Sequence, residues 1–303
     1  MRTILNMLLV AMFAALATPA YAALNIFSCE PEWAALAKEL AADKADIYSA
    51  TTALQDPHQV QARPSLIAKA RRAQLLVCTG AELEIGWLPV ILRESSNPDI
   101  APGKPGNFEA AQSVAMREIP SRLDRSEGDV HAAGNPHIQT DARNYLPIAQ
   151  ALSARLIELD PANAAFYRAR LQTFSQQWQA AIARWEKQAA PLKGQPILVQ
   201  HTAFPYLSAW LGMKEVATLE PKPGMEPSIA HLSQVLEQLQ RQPAKMVIRA
   251  AYQNPKPSEW IAEHAHIPAV AVPFSVGGTD GAKDLFGLFD DTIARLLAGL
   301  NSK

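Results

Sequence analysis

Short runs of consecutive apolar residues alternate along this chain with stretches in which apolar residues recur every three or four positions. "LNIFSC" (24–29) and "AQLLVCTG" (73–80) read as buried strands, the second closed by Gly80, and "PEWAALAKELAA" reads as a helix opened by Pro31. The alternation returns after Gly194, with strands at "PILVQH", "KMVIRAAY" and "AVAVPF" and helices at "SIAHLSQVLEQLQ", "SEWIAEHA" and "AKDLFGLFDDTIARLLAGL". Strands that alternate with helices predict parallel sheets. Between the two blocks, Asp141 to about Gln188 keeps helical spacing almost throughout, broken at Asp160-Pro161, whereas "PDIAPGKPGN" (98–107) reads as a loop. The expected fold is α/β, with two Rossmann-like lobes over 23–140 and 194–303. A helical region, 141–193, contains a long rigid connecting helix, and the cleft between the lobes is the expected place for a site.

The amino terminus changes where this fold is expected to work. Arg2 precedes an apolar run from Ile4 to Leu16, and "ATPAYA" puts small residues at Ala20 and Ala22, so residues 1–22 read as a signal peptide cleaved after Ala22. The run is too short for the roughly 20 apolar residues of a membrane span. "IFSC" sets Cys29 in a loosely lipobox-like context, but beyond the better Ala-x-Ala site, so the expectation is a soluble periplasmic protein. With 28 basic and 29 acidic side chains and no basic run longer than Arg71-Arg72, nothing forms a phosphate-tracking stripe, which excludes nucleic acid as a partner. In an oxidising compartment the two cysteines, Cys29 and Cys78, either close one disulfide or remain buried thiols. Their places near the carboxyl ends of two strands make the bridge geometrically reasonable.

Histidine placement supplies the candidate chemistry. His58 in "QDPHQV" and His137 in "GNPHIQTD" each follow a proline in loops of the first lobe, and His201 ends the strand "PILVQH" of the second. Asp280 lies in the glycine-rich loop "SVGGTDGA" after the strand "AVAVPF". Three imidazoles and one carboxylate complete a tetrahedral zinc shell if the fold brings them to the cleft, whereas the bland alternative is four strand-end residues satisfying local hydrogen bonds. His131, six residues before His137, is a candidate auxiliary metal contact. His231, His264 and His266 lie in or beside helices and read as surface or capping residues. A zinc enzyme is the competing class. It would keep a coordination position open for water beside a general base, for which Glu226 is the candidate, but "MEPS" reads more simply as a capping turn and no His-Glu-x-x-His motif occurs. An adhesin built on the same fold is a third class.

At these residues the whole mature chain resembles the cluster A-I solute-binding proteins, the periplasmic receptors of zinc ABC importers. "DPHQVQARPSLIAKARRAQLLVCTG", "GNPHIQTD" and "HTAFPYLSAWLG" resemble the family's three histidine segments, "GMEPSIAHLSQV" its glutamate-proline-serine segment, and "GGTDGA" its acidic loop. The resemblance implies His58, His137, His201 and Asp280 as ligands, Zn2+ as cargo and an inner-membrane ABC permease as partner. It also implies a monomer without catalytic activity, with room for a periplasmic metallochaperone upstream. The chain departs from the pattern where Asn135 replaces an acid, Gln139 a tryptophan and Ala142 a proline, and residues 81 to 130 contain no histidine where many zinc members carry a histidine-rich loop. Resembling manganese receptors usually place glutamate where this chain has His201, so the nitrogen-rich set favours zinc.

Overall fold

The computed structural model describes residues 23–122, 124, 126 and 128–302. The expected leader, 1–22, and its cleavage site lie outside the described residues. Two four-stranded sheets form, ordered β2-β1-β3-β4 and β6-β5-β7-β8, with every pairing parallel. The first holds β1 (Leu24–Ser28), β2 (Ala45–Ser49), β3 (Leu75–Cys78) and β4 (Asn107–Glu109). The second holds β5 (Pro196–Val199), β6 (Lys214–Thr218), β7 (Val247–Ala250) and β8 (Ala269–Val272). The sheets share one strand order, and in both the strands' carboxyl ends carry the loops that meet at the cleft.

Interior strands follow the apolar pattern because both faces are covered: β3 is buried at every position and β1 at all but one. The edge strands β2 and β6 are half exposed and polar in part, so "ADIYS" and "KEVAT" lack that signal. β4 is three residues long and begins at Asn107, inside the stretch expected to be loop. Among the helices, α1 (Pro31–Ala41), α2 (Pro64–Ala70), α3 (Leu88–Ser95), α6 (Pro205–Leu211) and α8 (Lys256–Ala265) all begin with proline in the first turn, whereas α7 (Ile229–Arg241) is capped by Ser228, whose side chain accepts from His231 N. Cys29 and Cys78, each at the carboxyl end of a neighbouring strand, are joined by a disulfide.

The helical region divides at the expected break. α4 (Tyr145–Leu159) ends at Asp160, whose carboxylate accepts from Tyr167 Oη at 2.6 Å and Asn163 Nδ2 at 2.7 Å, and α5 (Ala164–Gln188) follows. Tyr167, Phe174, Trp178, Ala181 and Trp185 form a buried stripe along α5. The helix is tied to both lobes: Arg170 Nε donates to the Glu39 carbonyl of α1 at 2.7 Å, and Trp185 Nε1 to Asp290 Oδ1 of α9 (Leu285–Asn301) at 2.6 Å. Trp178 packs against Tyr145, Phe174, Trp185, Phe286 and Phe289 with ring centroids 5.0–5.6 Å apart. One apolar core therefore runs through both lobes, from Ile26 and Val77 of the first sheet to Val199 and Ile248 of the second. No helix among the described residues is long and apolar enough to cross a membrane.

Candidate metal centre

Each of the three histidines is held by its local sequence before it meets the others. Asp56 and Pro57 shape the His58 turn: Asp56 Oδ1 accepts from the His58 backbone at 3.0 Å and from His58 Nδ1 at 2.8 Å. Trp87 Nε1 fastens that turn by donating to the Pro57 carbonyl at 2.9 Å, and Gly86 passes so close that a Cβ there would stand 2.8 Å from the His58 carbonyl. Asn135 does two things for His137. Its Oδ1 accepts from His137 N at 3.0 Å, while its Nδ2 donates across the cleft to the Thr202 carbonyl at 2.6 Å. A carboxylate has no N–H to give that carbonyl, so the departure from the family's acidic residue has a direct structural use. His201 follows β5, and its Nδ1 meets Glu220 Oε2 at 2.7 Å.

The fold brings these imidazoles to one point. One ligand nitrogen from each of His58, His137 and His201 lies within 4.8 Å of the others, and the Nε2 atoms of His137 and His201 face each other at 3.3 Å. His137 and His201 are 1% and 6% exposed. His58 Nε2 is buried with no hydrogen-bond partner. Asp56 and Glu220 accept at Nδ1, which fixes the proton there on His58 and His201 and leaves the Nε2 lone pairs facing inward. Burial, with His58 and His201 beside it, pushes His137 well below the usual imidazole range, so it is neutral and able to ligate. For Asp56, burial pushes upward but the bonds from His58 outweigh it and hold the carboxyl below its usual range, ionised behind the imidazole. An unpaired buried nitrogen and two imidazoles confronting each other at 3.3 Å are what a divalent cation between them would satisfy.

Asp280 is not part of this group. It is exposed, and its loop is closed on itself and on α9: Gly277 N donates to the Ala282 carbonyl at 2.6 Å, and Thr279 Oγ1 to Asp291 Oδ2 at 2.5 Å. Among the described residues the three nitrogens lie together, and the expected carboxylate oxygen of Asp280 is outside their group. His131 stands nearby, its ring centroid 5.4 Å from that of His58, outside the three-nitrogen group. Burial and then the neighbouring His58 push His131 down to about 4. Glu226 lines the cavity beside His58 and His201, exposed on its loop.

Sequence reading missed Asp56 and Glu220 as partners of the imidazoles. Asp56 had a signal, since an aspartate two residues before a histidine across a proline favours an Asx turn. Glu220 had none, because its approach depends on β6 lying beside β5. A second buried polar group was equally invisible. Glu30, Glu32 and Glu84 gather near the disulfide: Thr79 Oγ1 donates to Glu30 Oε2 at 3.2 Å, Thr79 N to Glu84 Oε1 at 2.8 Å, and Ser275 Oγ from the other lobe to Glu32 Oε2. Burial raises Glu32 and Glu84 to about 7 and Glu30 well above its usual value, with Glu84 and Glu32 adding to the push on Glu30.

The family model of the periplasmic zinc-uptake complex component A, ZnuA, matches residues 26–299. Among curated relatives, the manganese ABC transporter substrate-binding lipoprotein PsaA of Streptococcus pneumoniae is 22% identical over 246 residues, covering 79% of this chain and 76% of that protein. The metal ABC transporter substrate-binding lipoprotein ScbA of Streptococcus cristatus is 20% identical over 257 residues, covering 83% and 80%. A crystal structure of ZnuA superposes with a TM-score of 0.76 at 19% identity, covering 92% of this chain and all (100%) of that one. The manganese-bound periplasmic metal-binding protein of Candidatus Liberibacter asiaticus gives 0.73 at 16% identity, covering 91% and 99%. These solved structures share the fold.

Proposed function

The chain belongs to the zinc-uptake complex component A family, the extracytoplasmic metal-binding receptors of ABC transporters, and on that premise we propose that His58, His137 and His201 capture one zinc ion for an inner-membrane permease. The observation that carries this is the convergence of three imidazole nitrogens within 4.8 Å, drawn from both lobes. Zinc is the cargo because its preferred shell is rich in nitrogen. The two carboxylates that face the imidazoles sit behind them, at Nδ1 of His58 and His201. Their two negative charges balance a dication without supplying the oxygen-rich shell that manganese favours.

Manganese is the second reading, because PsaA, similar over most of the chain, is named for it. The nitrogen set argues against it here. The protein carries cargo and does not catalyse, and it works in the periplasm after cleavage behind Ala22. Cys29 is not a lipid anchor in this reading, since a chain starting there would lose β1, and its sulfur is already in the disulfide. The units are proposed as 23–140, 141–193 and 194–303.

The test is metal analysis and chelator competition on mature, untagged protein. One zinc per chain is expected. His58→Ala, His137→Ala and His201→Ala should each weaken zinc by more than the about 100-fold that outer partners of a metal site carry. Wild-type affinity in all three variants would remove the site, and manganese held as tightly as zinc would overturn the choice of metal.

A further inference from the structure

Cys29, Cys78 and Glu84 form a second convergence of metal-ligating atoms, and it lies within the first lobe alone. The two sulfurs and one carboxylate oxygen are all within 4.8 Å of one another, and the three residues are 0%, 0% and 2% exposed. Local structure places each of them. β1 and β3 are neighbouring parallel strands, and Cys29 N donates to the Val77 carbonyl at 2.8 Å, so the two cysteines leave the sheet side by side. After β3 the chain turns back through Gly80, Ala81 and Glu82, whose φ angles of +75°, +49° and +67° make a left-handed run that only the glycine adopts freely. That turn returns Glu84 to the strand end. There Thr79 N and Gly80 N donate to its Oε1 and Oε2 at 2.8 and 3.1 Å.

Two thiolates and a carboxylate are a donor set that zinc accepts. Zinc binds thiolate sulfur at about 2.3 Å, so two sulfurs of one tetrahedral shell stand roughly 3.8 Å apart. Sulfurs bonded to each other cannot reach that spacing, and reduction lets them part. Burial holds Glu84 up at about 7, so at neutral pH its proton is readily given up to a metal. Three protein ligands leave one position for a water. Cys78 and Glu84 both belong to the wall of a cavity of about 550 Å3, which supplies that water and an approach for small solutes. No lysine or arginine among the described residues lines it, so no cation of the protein competes for the carboxylate there.

We propose that Cys29, Cys78 and Glu84 are a second zinc site, one that exists only while the two cysteines are reduced. A dithiol reductant opens it: the Cys29–Cys78 bond breaks, two electrons pass from the dithiol to the cysteine sulfurs, and the dithiol closes to its own disulfide. Zinc then bonds both cysteine sulfurs as their two protons leave. Oxidation runs the other way. A small disulfide takes two electrons from the zinc-bound thiolates and leaves as two thiolates, the Cys29–Cys78 bond re-forms, and zinc is expelled. The histidines use no sulfur, so the two sites answer to different signals, theirs to metal supply and this one to redox state as well.

Metal analysis of mature, untagged protein tests this, in the oxidised state and after reduction by a phosphine that is then removed without air. The reduced chain should hold one zinc more than the oxidised chain. Cadmium in place of zinc should give the ultraviolet sulfur-to-metal charge-transfer band in the reduced chain alone. Glu84→Gln should weaken the added zinc by more than about tenfold, the least that outer partners of a metal site carry, and leave the zinc of the oxidised chain as it is. Cys29→Ala/Cys78→Ala should gain no zinc on reduction. Equal zinc in the two states of wild type, a reduced chain that has lost its circular dichroism, or a gain that survives either variant would overturn the site. Failure of the histidine reading looks different: the gain on reduction would persist, whatever the oxidised chain holds.

Discussion

The histidine cluster and the cluster of Glu30, Glu32 and Glu84 both lie beyond the carboxyl ends of parallel strands, both are buried, and both join the two lobes. Their chemistry runs in opposite directions. In the first, imidazole nitrogens gather at a shared point, His58 Nε2 without a partner, while carboxylates stand behind His58 and His201, an arrangement that a cation from outside would complete. In the second, burial disfavours ionisation and favours the protonated carboxyl: burial, then Glu84 and Glu32, push Glu30 well above its usual range, and backbone N–H groups of Thr79 and Gly80 hold the Glu84 oxygens at 2.8 and 3.1 Å. Converging imidazole nitrogens thus offer lone pairs to a metal, whereas converging buried carboxyls take up protons.

The comparison is broken most severely at Glu220. Glu220→Gln removes the charge behind His201 and leaves an amide that can present the wrong group to Nδ1. Zinc affinity should fall by about 10–100-fold with the fold intact, as read by chelator competition. Unchanged affinity would mean that Glu220 serves the loop through Gly224 and not the imidazole.

The carboxyl cluster should respond in stability and not in affinity. Glu32 has its folded pKa raised from 4.5 to about 7, so between those values the folded state binds more protons than the unfolded one. Its contribution is then most favourable at low pH and is lost as pH rises through about 7. Glu32→Gln keeps an oxygen for Ser275 and removes the ionisation. It should stabilise the protein by on the order of 1–2 kcal/mol at pH 8 and by almost nothing near pH 4. Urea unfolding at the two pH values decides it, and equal stabilisation at both would show that Glu32 is not held against ionisation.

The two clusters also differ in how far the sequence discloses them. The interior strands were legible as unbroken apolar runs, and the long helices by their period, because burial imposes those patterns directly. β2, β4 and β6 were not, since an edge strand is half exposed and polar residues suit it. His58, His137 and His201 were legible because imidazoles at strand ends and after prolines are few and chemically distinctive. Glu30, Glu32 and Glu84 resemble any surface charge until the fold buries them, and the partnership of Glu220 with His201 exists only through β5–β6 pairing.

Asp280 is where sequence and structure part, and it sets the smallest expected effect. An acid in "GGTDGA" after a strand suggests a loop free to deliver a ligand. The glycines instead allow close packing: Gly277 takes φ of +91° to close the loop onto Ala282, and Gly281 lies so near α9 that a Cβ would meet Asp291 Cγ at 2.7 Å. Thr279 is bound to the same Asp291, which Arg295 Nε also engages at 2.6 Å, so the loop is fixed with Asp280 turned to solvent. An exposed side chain outside the nitrogen group adds only distant, screened charge to a bound dication. Asp280→Ala should therefore change zinc affinity and release rate by less than about twofold, the range of ordinary surface substitutions. Stopped-flow release into excess chelator measures both the rate and, with the association rate, the affinity. A tenfold faster release would mean that zinc draws the loop off α9 and takes Asp280 as a fourth ligand, making the metal-bound shell three nitrogens and one oxygen after all.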